Sequence, residues 1–158
     1  MKIIKLLILI SFIFVYGCSS TAVITIINDK NSNPNYHGDN VPVTLKLYKL
    51  NGVERFKEAS VLDLNTREDA VLGKDKIDVS RMQIAPNDTK IMATIKKKDV
   101  GYIGVLVMYA DMNNKKIKSA VRSKNISGDN LTFTISNQGI FVTGKSKRNI
   151  KKELIDVK

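Results

Sequence analysis

Val43-Thr44-Leu45-Lys46-Leu47-Tyr48, residues 43–48, sets an aliphatic side chain at every second position against polar or amphipathic ones. A period of two belongs to an extended chain with one buried face, so this segment predicts a half-buried strand. Pro42 just before it suits a strand's first residue or an edge. The rhythm recurs on both sides. Upstream, residues 22–27 form a short β-branched run. Downstream, residues 79–85 resume it, and Ile91, Ala93 and Ile95 alternate with Met92, Thr94 and Lys96 after a Pro86-Asn87-Asp88 turn. Residues 102–109 are nearly continuously apolar, as in a central strand covered on both faces. After Met112-Asn113-Asn114, Ile117, Ser119 and Val121 alternate with Lys116, Lys118 and Arg122. Leu131, Phe133 and Ile135 then alternate with Thr132, Thr134 and Ser136, and residues 140–142 close the series. About eight strands at this spacing predict a mainly β, two-sheet β-sandwich.

Between residues 52 and 73 the period changes. Val53 and Phe56 are three apart, and Thr66-Arg67-Glu68-Asp69 resembles a capping box followed by Ala70, Val71 and Leu72, with Gly73 placed to end a turn. One or two short helices are therefore expected after the second strand. Asp63, Glu68, Asp69, Asp75 and Asp78 cluster here; as first-turn acids they are expected to cap helices and face water rather than to pair for sugar cleavage.

The first residues read as an export signal. Met1-Lys2-Ile3-Ile4-Lys5 is a positive start, and residues 6–16 are apolar except for Ser11. The run is little more than half of the roughly 20 residues that a spanning helix needs. Val15-Tyr16-Gly17-Cys18 resembles the lipobox of bacterial lipoproteins, although Tyr16 is bulkier than usual there. That resemblance implies cleavage after Gly17, diacylglyceryl attachment to the Cys18 sulfur and acylation of the new amine, an essentially permanent anchor. In lipoprotein sorting an Asp after the cysteine commonly means inner-membrane retention; Ser19 points instead to the outer membrane. Expected boundaries are signal 1–17, sandwich domain 18–143 and a basic C-terminal tail at 144–158.

The chain has 158 residues, 43% hydrophobic and 26% charged, and a formal charge of +11. This is globular composition of single-domain size. Without Lys2 and Lys5, 24 basic groups stand against 15 acidic ones, a net of +9. Such a field attracts anionic headgroups, cell-wall polymers or an acidic protein, and export sets nucleic acid aside. Cys18 is the single cysteine, so the fold carries no intramolecular disulfide.

Catalytic machinery is not expected. His37, the single histidine, lies beside Asp39 in a Gly/Asn/Pro loop, and a triad or metal site needs several converging groups. No Gly-rich phosphate loop, HExxH or CxxC motif occurs. No catalytic residue, metal site, cofactor beyond the lipid on Cys18, or small-molecule substrate is expected. Residues 28–41 make a long connection, and loops of that length are more often functional than idle. Its Asp29, Lys30, Tyr36, His37 and Asp39 put an aromatic anchor among polar groups, a composition suited to gripping a protein partner.

The order of these landmarks resembles that of the TssJ (SciN, VasD) family, the outer-membrane lipoproteins of type VI secretion. Asn28 closes the first strand. Pro42-Val43-Thr44-Leu45-Lys46-Leu47-Tyr48-Lys49-Leu50 resembles the family's proline-led strand ending in Tyr-x-Leu, and Phe56, Ala59 and Leu62 resemble its helical segment. Leu72 and Asp75 precede Ile84-Ala85-Pro86, and the strand running into Tyr109-Ala110-Asp111 resembles one that ends in Tyr-Arg-Asp. Ala110, where Arg is common, and Val121-Arg122, where Trp-Arg is frequent, mark a divergent member. The resemblance covers residues 18 to 143. It implies a transthyretin-like β-sandwich of two four-stranded sheets, a domain facing the periplasm, and binding of the periplasmic domain of the inner-membrane protein TssM, with the first inter-strand loop implicated. It implies no catalysis. The alternative is a lipoprotein sandwich unrelated to secretion that binds an anionic cell-wall polymer or ligand.

Overall fold

The two-residue period becomes eight strands in a computed structural model that describes residues 20–143. They are β1 (Thr21–Asn28), β2 (Val43–Leu50), β3 (Lys76–Ile84), β4 (Asp88–Lys96), β5 (Tyr102–Met108), β6 (Lys118–Arg122), β7 (Asn130–Ser136) and β8 (Gly139–Val142). Two four-stranded sheets result, ordered β4-β1-β7-β8 and β3-β2-β5-β6, as the transthyretin-like expectation requires. β1 runs parallel to β7; the other pairings are antiparallel. Residues 1–19, with Cys18 and the expected signal, and the expected tail from residue 144 lie outside the described residues.

The alternation in β2 decides what each face covers. Val43, Leu45 and Leu47 point between the sheets and pack with Ile24, Ile26, Val105 and Phe133. Tyr48 and Leu50 belong to a second core on the opposite face, with Phe56, Leu64, Leu72 and Leu106. The second sheet is thus buried on both sides, which is why β5 reads as an unbroken apolar run.

That second core is roofed by three short helices, α1 (Glu54–Glu58), α2 (Val61–Thr66) and α3 (Glu68–Leu72), where one or two were expected. The capping box also sits elsewhere. The Ser60 hydroxyl accepts from the Asp63 amide (3.0 Å) and the Asp63 carboxylate from the Ser60 amide (3.3 Å). Thr66 is the last residue of α2, and its hydroxyl donates to the Leu62 carbonyl (2.8 Å) instead of capping α3.

The acids of this segment are tied into ion pairs. Asp63 meets Arg67 (2.7 Å), Asp75 meets Arg55 (3.6 Å), Asp78 meets Lys49 (2.8 Å), and Asp69 meets Lys76. Glu68 departs furthest from the solvated cap expected of it. It reaches down to β2 and β3 and accepts from Lys46 (2.9 Å), the Tyr48 hydroxyl (3.2 Å) and Lys76 (3.4 Å). Burial, and next the Glu68 charge, push the Tyr48 phenol well above its ordinary pKa.

Lys118 corrects the reading of β6. It lies on the strand's expected polar face yet is 5% exposed, because that face is the one the helices cover. Its ammonium donates to the carbonyls of Phe56 (3.2 Å), Lys57 (2.6 Å) and Ala59 (2.6 Å) at the C-terminal end of α1. Burial pushes its pKa down.

Candidate functional site

The β1–β2 connection has a buried base and an exposed tip. At the base, the Asn28 amide donates to the carbonyls of Ile84 (3.3 Å) and Ala85 (2.9 Å), and the Ser32 hydroxyl donates to Asn28 Oδ1 (2.5 Å). Asn33 joins three segments: its Nδ2 donates to Val41 and Pro42 carbonyls (3.2 Å each), and its Oδ1 accepts from the Ala110 amide (2.7 Å). Asn28, Ser32 and Asn33 are all buried. Short polar side chains here replace the backbone partners that an irregular buried segment lacks.

Above that base the chain narrows through a Pro34–Asn40 bridge into a tight reversal. Asn35 Oδ1 accepts from the amides of His37 and Asp39 (2.9 Å each), and the Gly38 amide donates to the Asn35 carbonyl (3.0 Å) with φ at +88°. This reversal projects Tyr36, which is 91% exposed, with its ring centroid 3.6 Å from that of His37. An aromatic pair exposed to water is a ready contact surface, because few side-chain torsions need fixing when a partner covers it.

Beside the tip lies a cleft of about 510 Å³. Pro34, Asn35 and Tyr36 form one wall; Ala110, Asp111 and Lys115 of the β5–β6 connection and Asn137 of the β7–β8 turn form the other. Beneath it the Lys115 ammonium stands 4.7 Å from the Tyr109 ring centre. The buried Tyr109 hydroxyl has no hydrogen-bond partner among the described residues; burial, then the charge of Asp29, push its pKa up.

Of the residues singled out from sequence, the structure brings Tyr36 and His37 together at the tip with Asp39 just beyond, while Asp29 and Lys30 are exposed where the loop leaves β1. Sequence reasoning missed the facing wall, because Asp111, Lys115 and Asn137 sit in segments that read as plain turns. Among the described residues no three His, Cys, Asp or Glu converge as metal ligands would.

The loop and the first described residues stand at opposite ends of β1. β1 enters at Ser20 and Thr21 and delivers the chain to the loop at Asn28. Eight residues at about 3.3 Å each place these ends roughly 26 Å apart.

A family model described as "Type VI secretion lipoprotein, VasD, EvfM, TssJ" matches residues 20–138. Among solved structures, the type VI lipoprotein TssJ1 from Pseudomonas aeruginosa superposes with a TM-score of 0.71 at 19% identity, covering 82% of this chain and 99% of that one. Lip from Serratia marcescens, described as a membrane-bound component of the type VI secretion system, gives 0.70 at 16% identity, covering 79% and 98%. A chain of the structure described as the TssM C-terminal domain (869-1107) from EAEC gives 0.66 at 17% identity, covering 77% and 99%. No curated protein sequence matches the chain.

Proposed function

Because the chain belongs to the type VI secretion lipoprotein family, we propose that it is a lipid-anchored scaffold of the secretion system's membrane complex, held in the outer membrane by acyl chains on Cys18, with its domain in the periplasm. The tip of the β1–β2 loop grips the periplasmic domain of a TssM-like inner-membrane protein, and no catalysis is involved. One observation carries this reading. The exposed Tyr36–His37 pair stands at the pole opposite the residues that follow Cys18, so an anchor at one end leaves the contact surface facing away from the membrane.

The test has two arms. Calorimetric titration of the partner's periplasmic domain against Tyr36→Ala/His37→Ala should show at least tenfold weaker binding, about 1.4 kcal/mol, with an unchanged unfolding midpoint. A folded double variant that binds like the parent moves the site off the tip. Separately, Cys18→Ala should abolish fatty-acid labelling, and Ser19→Asp should shift the protein towards inner-membrane fractions; label persisting on Cys18→Ala refutes the anchor.

A further inference from the structure

The N-terminal pole carries a charge pattern that the grip on a partner leaves unused. The Ser20 carbonyl accepts from the Lys97 amide (3.0 Å), so the turn after β4 is fastened two residues from Cys18, about 7 Å of extended chain. Two more backbone bonds gather neighbouring turns to this end: the Ser123 amide to the Gly101 carbonyl (2.9 Å) and the Val23 amide to the Asp129 carbonyl (2.8 Å). Lys97 itself is structural, its ammonium donating to the Ile126 carbonyl (3.3 Å) and to that of Gly128. Around it stand Lys96, Lys98, Arg122 and Lys124, all exposed. None of the four makes an ion pair among the described residues, and Arg122 rests 5.7 Å over the Tyr102 ring. The exposed carboxylates on these turns are Asp99 and Asp129. The helical side of the molecule is arranged differently, with Lys46 and Lys76 on Glu68, Arg55 on Asp75 and Arg67 on Asp63.

We propose that this pole docks on anionic phospholipid headgroups of the bilayer that holds the Cys18 acyl chains, and so orients the sandwich with its β1–β2 loop pointing outwards. The inference rests on the reading of Cys18 as the anchor. An acyl tether of this length keeps the turns within a Debye length, about 8 Å, of the headgroup plane. Docking is then effectively intramolecular, so cations that bind an acyl-free protein with modest, measurable affinity suffice to set orientation in the anchored one. Lys97 keeps the flanking turns from splaying, which fixes the spacing of the cations around it.

The mature chain made without acyl chains is sedimented with vesicles of phosphatidylcholine alone or mixed with phosphatidylglycerol. Binding should require phosphatidylglycerol, weaken as salt rises, and fall at least tenfold in Lys96→Glu/Lys98→Glu/Lys124→Glu. The same reversals in the tail, Lys145→Glu/Lys147→Glu/Lys151→Glu, should cost less. Undiminished binding by the first variant, loss confined to the tail variant, equal binding to both vesicles, or binding to isolated cell-wall polymer in place of vesicles overturns the proposal. In acylated protein reconstituted in the mixed vesicles, spin-labelled headgroups should quench a fluorophore on Asp99→Cys and spare one on His37→Cys; equal quenching overturns it. The acyl-free arm reads the pole without the anchor. Failure of fatty-acid labelling therefore removes the anchor alone, and failure of vesicle binding removes the docking alone.

Discussion

The ring of Phe56 lies against the backbone of Gly104: a Cβ at position 104 would stand 3.0 Å from both Cε1 and Cζ. α1 is thereby seated directly on β5, and the glycine inside an otherwise bulky strand is explained by the close approach. Gly104→Ala should overpack this contact and lower stability by about 1–3 kcal/mol, read as a fall in the urea midpoint at constant slope. Phe56→Leu in the same chain should recover part of the loss; two additive losses would show that the ring is not what the methyl meets.

Glu68 gives stability a dependence on acid. Burial alone pushes its carboxyl pKa up, but the hydrogen bonds and charges of Lys46 and Lys76 outweigh burial and hold it below the ordinary glutamate range. A carboxylate that is harder to protonate folded than unfolded stabilises the fold above its unfolded pKa, and that contribution is lost as pH falls through the folded value. The unfolding midpoint should therefore decline below about pH 4.5 and decline less steeply in Glu68→Gln. A residual slope should remain from Asp63 and Asp78, held low by the hydrogen bonds of Arg67 and Lys49. At neutral pH the substitution should cost about 2 kcal/mol, since Lys46 loses its counter-charge, while Lys76 keeps Asp69 and Tyr48 keeps an acceptor. Identical acid slopes in parent and variant would remove Glu68 from this role.

Lys118→Met keeps the aliphatic stem and removes the donor shared by three carbonyls. Leaving buried acceptors unsatisfied should cost about 2 kcal/mol, and amide exchange should quicken in α1 before it does in β5. Uniform quickening throughout the sandwich would mean that Lys118 acts through general packing rather than by closing the end of that helix.

The base and tip of the β1–β2 loop should respond oppositely to mutation. Asn33→Ala strips bonds to Val41, Pro42 and Ala110 and should lower the melting temperature by several degrees, about 2 kcal/mol. Tyr36→Ala, at a residue in water, should leave melting within about 0.5 kcal/mol of the parent. Equal melting of all three proteins would show the base to be dispensable. Replacement of the whole loop by a flexible linker should then also be harmless, whereas the buried Ser32 and Asn33 place such a replacement inside the fold.

Strands were legible because a sheet with one buried face writes itself in side chains of period two, and β5 was legible as doubly covered because Ile103 and Leu106 point to different cores. The helical roof was less so. Ser60 and Asp63 form a capping box as good as any at Thr66, but five- and six-residue helices carry too few turns for the apolar spacing to separate one from the next. Lys118 misled because alternation placed it on a polar face, whereas the distant α1 covers that face and brings it partners; Asn33, not singled out from sequence, is likewise buried because Ala110 and the Val41-Pro42 segment reach it. Tyr36 stood out in the sequence by composition and is exposed at the tip, while the cleft beside it exists only once the three connections that line it meet.

The parallel pairing of β1 with β7 bears on mechanics. Pulling on the chain at Cys18 while the far loop is held draws a line of force along β1, which is flanked by β4 through eight register pairs and by β7 through six. Because the load enters and leaves on the same, already extended strand, the covalent backbone of β1 carries it, and the rungs on either side hold the strand straight without being made to slide. On the proposed anchor and grip, a jolt passed from the membrane to the partner would cross that one doubly flanked strand, and the helices over the second sheet stay outside its path.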